Sequence, residues 1–389
     1  MIRYDDISRL RLDRPESRKW SLHPGRIGAW VAEMDFGVAP PIAEALRRAV
    51  DEGTLGYLSP PLAAELGEAT AGWMGAEYGW AVDPERVHPV SDVMAALGVA
   101  VSEYAPDGSP VIVPTPAYMP FLTYLPTIGH PVIEVPGVEV DGRWRHDLQR
   151  IDEAFAVGAR TLVLCNPHNP TGTVVDREEL EAIARIVDRH GGRVFADEIH
   201  APLRYDNRPF TPYASLSEVT AGHTITGTSA SKAWNIPGLK TAQLITSNDR
   251  DQKVYRRFGF AAQHGAATLG VVASTAAYRH GRPWLDDVLA YLDGNRRVLA
   301  ELVTAHLPAA VYREPEATYI GWIDVSALGL PGVPADFFRE EAGVVLTEGR
   351  LLGRGYEDCT RIVFATPRPI LVEALQAMGD AVQRSVGKA

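Results

Sequence analysis

Between residues 161 and 197 the chain reads as a strand, a helix and a second strand, and this stretch constrains the fold more than any other. Thr161 to Cys165 is a short apolar run of the kind that fills a buried strand. Asp176 then stands at a helix N-cap position, with Glu179 in the capping-box place, and Leu180, Ile183, Ala184 and Val187 recur at helical spacing. Gly191 and Gly192 stop the helix, and residues 193–196 form the next apolar run. Two strands joined through such a helix are expected to lie parallel, with a right-handed crossover.

Apolar runs at residues 111–113, 224–227 and 242–245 are expected to extend the same sheet. Earlier, Pro40 and Pro41 open a helix with Ile42, Ala45, Leu46, Ala49 and Val50 at helical spacing and Gly53 beyond its end. From about residue 285 the texture changes to a long amphipathic helix, an apolar segment at 319–325, a strand-like segment at 361–365 and a last helix. A chain of 389 residues exceeds what one small core requires. The expectation is an α/β protein. Residues 46–284 form a large domain with a mostly parallel sheet between helices, residues 285–389 form a smaller α+β domain, and an N-terminal arm, residues 1–45, joins the smaller one.

Composition removes several classes of function. A formal charge of -11, with no basic stripe, opposes a phosphate backbone as partner. Cys165 and Cys359 make neither a disulfide framework nor a paired zinc spacing, so a reducing, cytoplasmic setting is expected. The first twenty residues are charged throughout and lack the apolar core of a signal peptide, and no window is long enough to span a bilayer. No G-x-G-x-x-G follows a predicted strand, which sets aside a dinucleotide-binding dehydrogenase. His168 and His200 have no H-E-x-x-H partner, so no metal is expected.

In an open α/β sheet, ligands gather outside the carboxyl ends of the strands. The residues to inspect are therefore those after each run: 166–172, 197–200 and 229–232. Lys232, within SASKAWNIPGLK, has small hydroxylated neighbours, and desolvation of its ammonium would free an amine to attack a carbonyl carbon. A solvated loop lysine is the alternative. Asp197 follows an apolar strand, where a carboxylate needs a cation, and a protonated pyridine nitrogen is one such cation. A helix cap is the alternative. Asn169 lies in NPHNPTG, where two prolines and a glycine fix the backbone so that an amide can point inward, although an ordinary Asx turn has the same look.

NPHNPTG, ADEIH and SASKAWNIPGLK, in that order and with Lys232 35 residues after Asp197, resemble the fold-type I pyridoxal 5'-phosphate enzymes of aminotransferase class I/II. WVAEMDF at residues 30–36, with the histidine of DEIH, narrows the likeness to MalY/PatB-type carbon–sulfur lyases, which include bacterial cystathionine beta-lyases. The resemblance implies an aspartate-aminotransferase-like fold. It also implies that Lys232 bonds the cofactor's aldehyde carbon, Asp197 pairs with the pyridine nitrogen, Asn169 serves the ring oxygen and the substrate, and Tyr118 stacks on the ring as a catalytic aromatic. Ser229, Ser231 and Lys240 match phosphate-contacting positions, and Ser91, Asp92 and Val93 match a cup of backbone N–H groups. Asp92 departs from the pattern, since a carboxylate beside a phosphate must turn away. Tyr57 resembles a tyrosine that crosses a homodimer interface to reach phosphate and substrate, with simple packing as the alternative. Arg361 matches the arginine that grips the substrate α-carboxylate and is preferred to Arg368 because it occupies the strand-like segment. Ala32 falls in the substrate-side motif, and His200 is expected beside cofactor or substrate, or else as a satisfied polar loop residue. The implied activity is elimination of a thiol from cystathionine or another cysteine S-conjugate, giving pyruvate and ammonia. Two rivals remain: an aminotransferase, because the cofactor constellation is shared, and a regulatory or scaffold protein with this fold and no turnover.

Overall fold

The structure, a computed structural model, describes residues 4–386. It divides into two compact units: Val38–His168 with Thr173–Asp287, and a second made of the residues up to Gly37, Asn169–Gly172 and the residues from Val288 onward.

The first unit is built on seven strands: β1 (Val87–Val90), β2 (Val111–Thr115), β3 (Val132–Pro136), β4 (Thr161–Cys165), β5 (Arg193–Asp197), β6 (Thr224–Thr228) and β7 (Ala242–Thr246). Their order is β1-β7-β6-β5-β4-β2-β3. The five strands from β6 to β3 run parallel, and β7 is antiparallel to both of its neighbours. The expected crossover is present: β4 and β5 pair in parallel, with Cys165 opposite Asp197, and the helix between them spans Arg177–Arg189.

Side-chain alternation explains why these strands read as unbroken apolar runs. Val111, Val113, Val163, Cys165 and Phe195 point into a core shared with Val93, Ala96, Leu97, Ala100 and Val101 of the helix Val93–Tyr104. Ile112, Leu162, Leu164, Val194 and Ala196 point into the opposite core, against Ile151, Phe155, Leu180, Ile183 and Val187. Both faces of a parallel sheet are covered, so the central positions of β2, β4 and β5 are apolar on both sides and polar residues fall mainly at the strand ends.

One local expectation is met and one is corrected. The helix Pro40–Asp51 buries Ile42, Ala45 and Ala49, but Val50 is 53% exposed, one step off the buried stripe. The capping box at Asp176 and Glu179 does not form. Asp176 holds the N-cap position without a side-chain cap and instead accepts from Arg208 Nη2 at 2.7 Å and pairs with Arg143. Glu179 Oε1 accepts from the His146 backbone N–H at 2.9 Å, and its Oε2 accepts from Arg145 at 3.0 Å. Partners distant in sequence, three of them arginines, thus take both carboxylates away from the donors of their own helix terminus.

The second unit carries a four-stranded antiparallel sheet of Val311–Tyr312, Ile320–Asp324, Cys359–Val363 and Thr347–Glu348, in that spatial order. Residues Ile27–Gly28 of the N-terminal segment pair with Val344–Val345. The Asn169–Gly172 turn is fastened here because the Gly172 carbonyl accepts from the Glu316 and Ala317 N–H groups, each at 3.0 Å. Gly172 has φ +71, and a Cβ there would come within 2.2 Å of Pro315, so only glycine fits. Among the described residues no helix is long and apolar enough to cross a membrane.

Candidate active site

Asp197 is the last residue of β5 and is only 5% exposed. Its Oδ1 accepts from the Ile199 N–H at 3.1 Å. Burial pushes the carboxyl up to about 7, against the opposing pull of that hydrogen bond and of the Lys232 charge. Next to it Glu198 is also buried and is pushed up to about 8 by desolvation, with the neighbouring Asp197 charge acting in the same direction. Glu198 Oε1 accepts from the Tyr213 N–H at 2.8 Å. Glu198 carries no expectation from the sequence motifs, although a second acid directly after a buried strand is a visible signal.

Lys232 follows β6 on a tight turn. The bonds Trp234 N–H to Ala230 O and Ile236 N–H to Ser231 O, both 3.0 Å, hold the chain on either side of it. Fully buried Trp234 anchors the turn by donating from Nε1 to the Gly281 carbonyl at 3.0 Å. Lys232 itself is half-buried. Ser229 is buried and gives its hydroxyl proton to the Thr241 carbonyl at 2.7 Å while accepting from the Ser231 N–H at 3.0 Å.

At the start of the helix Val93–Tyr104, Asp92 serves as N-cap, its Oδ1 accepting from the Ala95 N–H at 2.8 Å. Its Oδ2 pairs with Lys240 Nζ at 2.7 Å. Ser91 is half-buried and Val93 buried beside it. The carboxylate that looked out of place thus has two partners, one of them the cation expected to serve a phosphate. Tyr118 is half-buried, edge-on to Phe121 with ring centroids 5.5 Å apart. His200 is buried, and so is His168, which stacks on Trp144 at 3.8 Å. Burial, helped by the His146 charge, holds His168 well below the usual histidine range. Tyr57 is 88% exposed, its ring 5.7 Å from that of His264.

In the second unit Arg361 is buried within the strand Cys359–Val363. It donates from Nη1 to Asn169 Oδ1 at 3.3 Å and from Nη2 to the Trp30 carbonyl at 2.9 Å. Arg368 is engaged elsewhere, with Asn295 Oδ1 at 3.1 Å and over the Tyr291 ring at 5.2 Å. The Ala32 carbonyl accepts from the Tyr319 hydroxyl at 2.9 Å. Among the described residues no cluster of His, Cys, Asp or Glu could hold a metal ion.

The donor set of the first unit suits an aromatic group with an aldehyde and a basic ring nitrogen. Lys232 is a half-buried amine, and Asp197 is a buried carboxylate near neutrality that would gain most from a hydrogen-bonding cation. The model of aminotransferase class I and II matches residues 31–377. The chain belongs to that family. Within it, cystathionine beta-lyase of Corynebacterium glutamicum is 35% identical over 98% of this chain and 100% of its own. Cystathionine beta-lyase PatB of Bacillus subtilis is 33% identical, covering 86% of each chain. Among solved structures, cystalysin of Treponema denticola, which contains pyridoxal 5'-phosphate, superposes with a TM-score of 0.90 at 29% identity, over 97% of this chain and 98% of its own.

Proposed function

We propose that this family member is a pyridoxal 5'-phosphate-dependent carbon–sulfur β-lyase that releases a thiol, pyruvate and ammonia from cystathionine or another cysteine S-conjugate. The observation that carries the reading is Asp197, a buried carboxylate at a strand end with its acidity moved close to neutral and Lys232 in its field. Full-length similarity to cystathionine beta-lyase supports the lyase side of the family over the transaminase side.

When bound, the cofactor supplies an electron sink for the pair released at the substrate Cα. Asp197 holds the ring nitrogen protonated, and that charge in turn stabilises the Asp197 carboxylate. Lys232 would hold the cofactor through its Nζ, and the same amine, when free, would take the Cα proton. Asn169 and Tyr118 orient the ring. Ser91, Val93, Ser229, Ser231 and Lys240 hold the phosphate, with Asp92 capping its helix, and His200 packs on the cofactor side. Arg361 binds the substrate α-carboxylate as a planar fork. With a thiolate on Cβ, loss of the Cα proton is followed by departure of that thiolate; uptake of water then yields pyruvate and ammonia.

Tyr57 and Leu55 are exposed apolar groups on the segment between two helices, which supports a homodimer in which Tyr57 reaches the partner copy's substrate and phosphate. Cys165 and Cys359 are buried and joined to no disulfide, which is compatible with a reducing compartment. Incubating the purified enzyme with L-cystathionine and assaying pyruvate and free thiol tests the proposal. Both should appear in equal amounts, whereas steady conversion of an added 2-oxo acid to its amino acid without pyruvate would assign a transaminase instead. Neither product over a panel of cysteine conjugates would point to the scaffold reading.

A further inference from the structure

Outside the residues given a role above, one feature of the second unit stands apart: a lysine that is 1% exposed. Lys19 Nζ pairs with Asp35 Oδ2 at 2.8 Å and donates to the Glu33 carbonyl at 3.2 Å. Asp35 Oδ1 accepts from Trp20 Nε1 at 3.0 Å, and the Asp35 N–H donates to the Ala365 carbonyl at 3.0 Å. At the other end of the same segment, Trp30 Nε1 donates to the Lys19 backbone carbonyl at 3.1 Å. A single residue therefore grips the 30–35 segment at both ends, through its main chain at Trp30 and its side chain at Glu33 and Asp35. Gly28 makes this approach possible, because a Cβ there would stand 2.4 Å from the Lys19 carbonyl oxygen.

What lies between the two grips is the backbone that aims Arg361. The Trp30 carbonyl accepts from Arg361 Nη2 at 2.9 Å and from Thr347 Oγ1 at 3.2 Å. The Ala32 carbonyl is fixed by Tyr319. With Nη1 on Asn169 and Nη2 on Trp30, the orientation of the guanidinium depends on where the Trp30 peptide and the Asn169 side chain are placed, and the Trp30 bond is the shorter of the two.

We propose that the buried Lys19–Asp35 pair is a positioning device for substrate recognition: it fixes the 30–35 segment and thereby orients Arg361 toward a carboxylate of the substrate. Two charged groups are a costly way to fill a core, and an apolar pair of similar volume would serve stability as well. The pair offers directed hydrogen bonds to a particular carbonyl and indole, which apolar side chains cannot supply. The proposal rests on the reading of Arg361 as the carboxylate-binding residue.

The test is the double variant Lys19→Met/Asp35→Asn in the holoenzyme, which removes both charges together and keeps an acceptor for Trp20. KM for L-cystathionine and the inhibition constant of L-alanine, which lacks a leaving group, are expected to rise about tenfold with kcat within about twofold, as for loss of uniform binding. The cofactor's near-visible band should keep its position and amplitude. Arg361→Ala is the control, expected to raise KM by at least about a hundredfold. A weakened KM in the control with an unchanged KM in the double variant, whatever its thermal midpoint, would make the pair merely structural and overturn the proposal. An unchanged KM in Arg361→Ala would remove the reading of Arg361 and the proposal with it. Should the double variant fail to fold, the isosteric Asp35→Asn alone is to show a smaller rise in KM, about threefold, at unchanged kcat; no rise there counts against the proposal equally.

Discussion

Asp35 and Asp197 are both carboxylates removed from water, yet their surroundings differ. Asp35 meets the ammonium of Lys19 and the indole of Trp20, both within 3.0 Å, so its charge is compensated by the chain itself. Asp197 receives one backbone N–H, from Ile199, and burial moves its carboxyl to about 7. The first acid is complete within its own unit. The second lacks such a side-chain partner among the described residues, and in the function proposed above the cofactor's ring nitrogen would supply the cation; a buried acid left incomplete in this way marks a candidate functional group.

Exchanging Asp197 for Asn breaks the contrast most sharply. The amide keeps the Ile199 bond and the shape but cannot stabilise a protonated pyridine nitrogen, so kcat/KM for elimination should fall about 1000-fold, or about 4 kcal/mol. Steady-state pyruvate release measures it, and a loss under tenfold would deny Asp197 that role. The corresponding break at the other acid is Lys19→Met alone, which strands Asp35 as a buried uncompensated charge. Unfolding in urea should then show a loss of about 3 kcal/mol, while Asp197→Asn should leave the apoprotein no less stable at pH 8.

A smaller effect is the pH dependence contributed by Asp197 and its neighbour Glu198. Because the folded-state values of Asp197 and Glu198 lie above the ordinary 3.8 and 4.5, the folded apoprotein binds protons that the unfolded chain releases. Their contribution is fully present below about pH 4 and is lost as pH rises through about 7 for Asp197 and about 8 for Glu198. The thermal midpoint of the apoprotein should therefore drop by several degrees between pH 5 and pH 8, and Asp197→Asn should remove part of that slope. The smallest change is expected at Asp176, whose partners are partly exposed arginines. Asp176→Asn should cost under about 1 kcal/mol by the same urea measurement, because solvent screens such pairs.

Much of this was legible in the chain. The 161–197 unit was readable because both faces of β4 and β5 are covered, which forces continuous apolar runs that end where the polar residues begin. Lys232, Asp197 and Asn169 stood out because they occur directly after those runs, in motifs with restricted backbones. The capping box at Asp176 and Glu179 was a local reading that failed, since Arg143, Arg145, Arg208 and His146 reach those carboxylates from elsewhere in the sequence. Lys19 gave no signal at all, lying in a charged N-terminal stretch that resembles solvated surface.

By itself the sequence marked five of the seven strands of the large sheet, the helix between β4 and β5 and the identity of the chemical groups, because periodicity and turn chemistry act over a few neighbours and leave their mark in residue order. Tertiary structure alone decided which charges are buried, which acid meets a lysine and which meets only a backbone N–H, and which arginine shares its guanidinium with Asn169. Those outcomes depend on desolvation and on partners hundreds of residues apart, such as Trp30 and Arg361, and no local pattern encodes either.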